Sequence, residues 1–195
     1  IFAASKLGAI LVPVNTFLKE EELSYILEDS GSSLLVASAI YDKVVNSSKA
    51  SSLCQFILWE GEELAKGEKH LHFEEALNSD TPAEHTQRAL EDTAVIIYTS
   101  GTTGKPKGAM LSNKNLLSNV EVSRKLIEVT SKDRIIVFLP MFHAFTFTVG
   151  VILPLYVGGS MVIIKSLQPF SNIFKQTLTK RVTLFFGIPA VSYTH

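Results

Sequence analysis

The chain has 195 residues, 46% hydrophobic and 19% charged, which suits one large globular unit or two small ones. Its formal net charge is −1 and it carries no basic tract, which argues against nucleic acid as a partner. The lone cysteine, Cys54, has no internal disulfide partner; it sits in the apolar run LCQFILW and reads as a buried small hydrophobe, consistent with a reducing, cytoplasmic setting.

In chain order, Phe2 to Leu7 reads as the end of a helix and Ala9 to Val14 as a strand. A helix is expected from about Lys19 to Asp29, with Leu23, Ile26 and Leu27 on one face and Gly31 as its stop. The run Glu20-Glu21-Glu22 is its solvated first turn, favoured by the helix dipole. Strands follow at Ser33 to Ala37 and Gln55 to Trp59 with a short helix between, then a helix at His72 to Leu77 and a polar loop from Asn78 to Asp92. Ala94 to Tyr98 is a strand. Ser112 is placed to cap a long helix reaching about Thr130, with Leu116, Val120 and Ile127 along its core face. After it come a strand at Arg134 to Phe138, an apolar helix near Phe145 to Val157 and a strand at Ser160 to Ile164. A helix opened by Pro169, with Phe170, Ile173, Phe174 and Leu178 inward, and a strand at Val182 to Phe186 complete the order. Strand–helix alternation with β-branched runs predicts an α/β fold with mainly parallel sheets. The polar turn Ser131 to Asp133 predicts a joint between two α/β lobes, residues 1–130 and 134–195.

No charged residue occurs from Ile135 to Ile164, and Phe147 to Ile164 is long enough to cross a bilayer. Gly150, Pro154 and the pair Gly158-Gly159 instead divide it into strand, helix and strand, and buried parallel strands are themselves continuous apolar runs. The expectation is no transmembrane span, with peripheral membrane contact left open.

The chemistry concentrates in YTSGTTGKPKG, Tyr98 to Gly108. Glycine permits the positive φ angles that let successive backbone N–H groups turn toward one anion. Thr99, Ser100, Thr102 and Thr103 add hydroxyls around Gly101 and Gly104, and Lys105 and Lys107 supply point charges suited to phosphate. The Walker pattern does not fit, because Lys105-Pro106 stands where Gly-Lys is required. Polyphosphate binding is the reading, against a plain surface turn. His143, in the aromatic run Met141 to Phe147, is open to either a structural or a functional role. His70 and His72 could both face one side of a strand as metal ligands, but they lack a third ligand signal and read, with His85, as surface residues.

The loop resembles the signature loop of the adenylate-forming superfamily: acyl-CoA synthetases, luciferases and peptide-synthetase adenylation domains. The resemblance continues upstream in FAASKLGAILVPVNTFLKEEELSYILEDSG and downstream in LPMFHAF and GIPAV, with only about Ser38 to Leu90 matching loosely. It implies two stacked α/β lobes with the ligand between them. It also implies ATP-dependent activation of a carboxylic acid to acyl-AMP, then to a thioester, with ATP, Mg²⁺ and CoA required. On this resemblance Thr99, Ser100, Gly101, Thr102, Thr103, Gly104 and Lys107 bind the phosphates, and Thr102 contributes to Mg²⁺. Lys107 and His143 are the catalytic residues, His143 positioning the acyl carboxylate and the α-phosphate without transferring a proton. The histidine of PMFHAF is closer to acyl-CoA synthetases than to peptide-synthetase domains, and the phenylalanines favour a medium- or long-chain fatty acid. An aryl acid, a carrier-protein thiol as acceptor, or a nucleotide-binding module of another class are the alternatives. The superfamily's aromatic-Gly-x-Thr-Glu and Thr-Gly-Asp strings do not occur here. Neither chain end reads as a natural terminus, so the expectation is a piece of a longer ligase, inactive alone.

Overall fold

A computed structural model describes residues 1–61, 68–78, 84–99, 104–164, 168–169 and 171–187. The chain divides into two compact units, Ile1–Met110 and Leu111–His195. The division falls ahead of the long helix, not after it at Ser131 to Asp133 as the polar turn suggested.

In the first unit, α1 (Phe2–Lys6) leads to α2 (Glu20–Ser30). The Asn15 side chain accepts a hydrogen bond from the Phe17 N–H at 2.9 Å, turning the chain ahead of the helix. Glu22 then accepts one from the Lys19 N–H at 3.0 Å, satisfying an orphan donor of the first turn. The helix ends at Gly31, whose φ of 63° lets its N–H and that of Ser32 return to the Glu28 and Leu27 carbonyls. Leu23, Ile26 and Leu27 are buried. Three strands, β1 (Leu34–Ser38), β2 (Phe56–Glu60) and β3 (His70–His72), lie parallel in that order. The short helices α3 (Asp42–Ser47) and α4 (Ala50–Leu53) connect the first two, and α5 (Phe73–Leu77) follows the third. Alternation sends Leu35, Ile57 and Trp59 into one core with Leu23, Leu27, Val45 and Cys54. The opposite face leaves Leu34, Val36, Phe56 and Leu71 exposed. Cys54 is buried as expected, and burial pushes its thiol pKa up, away from reactivity.

The strand expected at Ala9 to Val14 is reduced to one parallel bridge, Leu11 to Val95. Pro13 has no N–H to offer a continuing ladder. A sheet of its own joins β4 (Thr93–Thr99) to β5 (Lys107–Ser112), a strand that the glycine and lysine content of its start concealed.

In the second unit, Ser112 caps α6 (Asn113–Ile127): its Oγ accepts from the Asn115 N–H at 3.2 Å, and Asn115 Oδ1 accepts from the Ser112 N–H at 3.0 Å. The sheet is parallel, with β6 (Arg134–Val137) between β7 (Ser160–Ile163) and β8 (Leu184–Phe185). Ile136 and Phe138 pack with Ile173 of α8 (Ser171–Thr179) on one face. On the other, Val137 meets a π-helix, Thr146–Ile152, that continues as α7 (Leu153–Val157). Helices therefore cover both faces of β6, as a parallel strand requires. Phe174 and Leu178, expected inward, are exposed, because the face of α8 that meets the sheet carries Ile173 with Thr177 at helical spacing. Phe170 lies outside the described residues.

Asp133, at the foot of β6, ties this sheet together. Its carboxylate accepts from the Thr130 N–H (2.8 Å), the Thr130 hydroxyl (2.9 Å) and the Thr183 hydroxyl ahead of β8 (2.8 Å), while its carbonyl accepts from Ser160 of β7. The Thr130 N–H, then Thr183, hold this carboxyl below its ordinary pKa. A carboxylate lowered in the folded state stabilises fully above its unfolded value and loses that contribution as pH falls through the folded one. Asp133→Ala should therefore lower the melting temperature at neutral pH by roughly 2–6 °C. The gap to wild type should close only below about pH 4; thermal melts across pH check both.

Candidate functional site

Strand β4 delivers the chain to the glycine-rich loop, and β5 takes it away. Thr99 ends β4 and is exposed. Ser100, Gly101, Thr102 and Thr103 lie outside the described residues. Gly104 follows with φ of 89°, and an added Cβ there would meet nothing within 4 Å among the described residues. A left-handed glycine facing open space is what a backbone turned toward an incoming anion requires. Lys105 and Lys107 are both exposed, but differently placed: the Lys105 ammonium lies over the Tyr25 ring, 5.4 Å from its centroid, whereas Lys107 opens β5. The order is strand, loop, strand and then capped helix, unlike the strand–loop–helix of a Walker site.

The loop rests on a close approach that the sequence did not reveal. A Cβ at Gly108 would stand 2.8 Å from Ile96 Cγ2 and 3.0 Å from Tyr98 Cζ, so the backbone of β5 passes against the side chains of β4. Tyr98 in turn donates its hydroxyl to Asp29 Oδ2 at 2.6 Å. Burial, then Asp29, drive the Tyr98 pKa well above the ordinary tyrosine value. The signal available in the sequence was the pair Tyr25 and Asp29, four residues apart on one helix face.

In the second unit, the exposed His143 stands at the head of the π-helix run. Its N–H donates to the Pro140 carbonyl at 3.2 Å, and its carbonyl accepts from the Phe147 N–H at 2.8 Å. Phe142 packs beside the imidazole, ring centroids 4.3 Å apart. An imidazole at a helix N-terminus sits where the helix dipole favours anions, and π-helical turns often occur at functional sites. Elsewhere in this unit a slit of about 10 Å³, no roomier than one water needs, is lined by Phe138, Phe145, Val149, Gly150 and Phe186. Gly150 opens it by lacking a Cβ, which would stand 3.2 Å from Thr146 Cγ2.

His70, weighed as a metal ligand, instead accepts a hydrogen bond at Nδ1 from the Trp59 indole N–H at 3.0 Å. Among the described residues no group of three or more His, Cys, Asp or Glu side chains could hold a metal ion. Among them, too, no helix is long and apolar enough to cross a membrane.

These features meet a known pattern. The family description "AMP-binding enzyme" matches residues 1–194, and the chain belongs to that family. Over 191 residues it is 32% identical to a feruloyl-CoA synthase of Amycolatopsis sp., covering 98% of this chain and 36% of that protein. Over 193 residues it is 30% identical to the long-chain-fatty-acid–CoA ligase FadD13 of Mycobacterium tuberculosis, covering 97% of this chain and 36% of the relative. Among solved structures, the anthranilate CoA ligase AuaEII in complex with anthranoyl-AMP matches with a TM-score of 0.84 at 29% identity, over 95% of this chain and 36% of that one. The α/β fold with parallel sheets is thus that of the N-terminal domain of acyl-CoA ligases. The chain spans 36% of the length of each of these relatives.

Two outcomes follow from this geometry. Gly108→Ala should cost about 1–3 kcal/mol of stability by overpacking β4 against β5, read by urea denaturation. His143→Ala, at an exposed position, should leave the melting temperature unchanged, read by thermal melts. A fall in melting temperature would assign His143 to packing instead.

Proposed function

We propose that these residues form the phosphate-binding part of an AMP-forming acid–thiol ligase. A carboxylate is a poor acylating agent because its leaving group is oxide. Adenylation removes the difficulty: a carboxylate oxygen attacks the α-phosphorus of ATP, the bond from that phosphorus to the bridging oxygen breaks, and pyrophosphate departs. A thiol, CoA on this reading, then attacks the acyl carbon and AMP leaves. The protein's task is to neutralise charge on the triphosphate and hold attacker and leaving group in line.

The observation that carries the proposal is the left-handed, unobstructed Gly104 between an exposed strand end and two exposed lysines. That arrangement fits a polyphosphate. We assign the grip on the β- and γ-phosphates to Thr99, Ser100, Gly101, Thr102, Thr103 and Gly104, with Lys107 adding charge. Mg²⁺, when bound, would neutralise phosphate charge; Thr102 is our candidate hydroxyl ligand, phosphates and waters supplying the rest. We assign to His143 the positioning of the acyl carboxylate, which suits an exposed imidazole at a helix N-terminus.

For the acid we favour a medium- or long-chain fatty acid, supported by the likeness to FadD13. The likeness to a feruloyl-CoA synthase and an anthranilate CoA ligase supports an aryl acid as the second reading. The buried, unpaired Cys54 agrees with a cytoplasmic setting.

In the full-length protein, Lys107→Ala and Thr102→Val should each lower acid-dependent exchange of labelled pyrophosphate into ATP at least about tenfold. Melting temperatures should hold. Unaltered exchange in both variants would remove the loop assignment.

A further inference from the structure

The loop's two flanks are held by one helix. Tyr25 and Asp29 are four residues apart on α2 and so share a face. Asp29 takes the hydroxyl of Tyr98, the last residue but one of the strand that enters the loop. Tyr25 takes the ammonium of Lys105, beside Gly104 on the chain that leaves it. We propose that the C-terminal half of α2 is a positioning clamp for the phosphate loop, with Asp29 and Tyr98 fixing its entry and Tyr25 and Lys105 its exit. The inference rests on the phosphate-binding reading of that loop.

A clamp must itself be rigid, and this one is. The α2 tip is closed by the left-handed Gly31, by the Ser30 hydroxyl donating to the Ile26 carbonyl at 2.6 Å, and by the Ser30–Ser32 hydroxyl pair at 2.7 Å. Leu23, Ile26 and Leu27 anchor the same turns in the core. At the other end, Tyr98 is held on two sides: its hydroxyl by Asp29, its ring against Gly108 of the return strand. The bond to Asp29 is short and charge-assisted, the stronger kind. The Lys105–Tyr25 distance lies within cation–π range. A tyrosine serving packing alone would need neither a carboxylate at its hydroxyl nor a second ring from the same helix on the far flank.

The consequence is for binding. A loop whose ends are fixed loses less conformational freedom when it closes on an anion, so affinity rises without a new ligand contact. The clamp also divides the lysines: Lys105 is engaged at Tyr25, and Lys107, two residues on and exposed, is the one placed for phosphate.

Titration calorimetry with inorganic pyrophosphate and with ATP on the full-length protein tests this. Tyr98→Phe, Asp29→Asn and Tyr25→Leu should each weaken both ligands about 3–10-fold, while Tyr25→Phe, which keeps a ring for Lys105, should bind more tightly than Tyr25→Leu. In pyrophosphate exchange the first three variants should raise the KM for ATP more than they lower kcat; a merely structural role would lower the melting temperature and leave the affinity of folded protein alone. Because a variant could fail to fold, absorbance titration of wild type supplies a separate reading: one tyrosine should stay protonated through the ordinary range near pH ~10. Ionisation of every tyrosine in that range would overturn the Asp29 contact. Unchanged affinity in all three variants would overturn the clamp and leave the phosphate reading standing. Failure of wild type to bind either pyrophosphate or ATP would overturn the phosphate reading, and the clamp with it.

Discussion

A short glycine-rich loop can hold a polyphosphate only if its ends are held first, and here the ends meet at Gly108. The absence of a side chain there lets the return strand lie against Ile96 and Tyr98 of the entering strand. Any larger residue would push the strands apart or displace the tyrosine ring, and with it the carboxylate contact to α2. On the proposed reading, a polyanion would use the loop's backbone N–H groups, its hydroxyls and Lys107.

The second unit solves a related problem with different means. Its central strand, β6, is buried on both faces, so its neighbours must be registered by something other than a solvent-facing pattern. Asp133 does this, binding Thr130 and Thr183 by its carboxylate and Ser160 by its carbonyl. With that sheet fixed, Gly150 allows the π-helix to approach β6 closely, and the head of that helix carries His143. The imidazole is thus presented on a packed element, not on a free loop, which suits positioning better than proton transfer.

Much of this was legible in the residues, for identifiable reasons. Helix α2 announced itself through three glutamates, an apolar stripe and a terminal glycine, all local signals. Ser112 was readable as a cap because capping chemistry is also local. The strand β5 was hidden because Lys107 and Gly108 carry loop-like composition, and only its pairing with β4 makes it a strand. The strand expected at Ala9 to Val14 failed for the opposite reason, an apolar run interrupted by Pro13. Phe174 and Leu178 misled because an apolar residue need not face inward when the neighbouring stripe does. For the proposed site, the glycines, lysines and His143 are candidates on residue type alone. The contact of Tyr98 with Asp29 could not be read that way: it joins residues 69 apart, and local spacing shows only that Tyr25 and Asp29 share a helix face.

On the proposed function, the loop serves an enzyme that splits ATP between the α- and β-phosphates with a carboxylate as the attacking group. Incubating the full-length protein with ATP, Mg²⁺ and a panel of alkyl and aryl acids, without any thiol, and identifying the nucleotide product by mass tests it most directly. The expected product is AMP joined to the acid in mixed anhydride linkage, with pyrophosphate released and ADP absent. Formation of ADP and phosphate, or acid-independent cleavage of ATP, would contradict it.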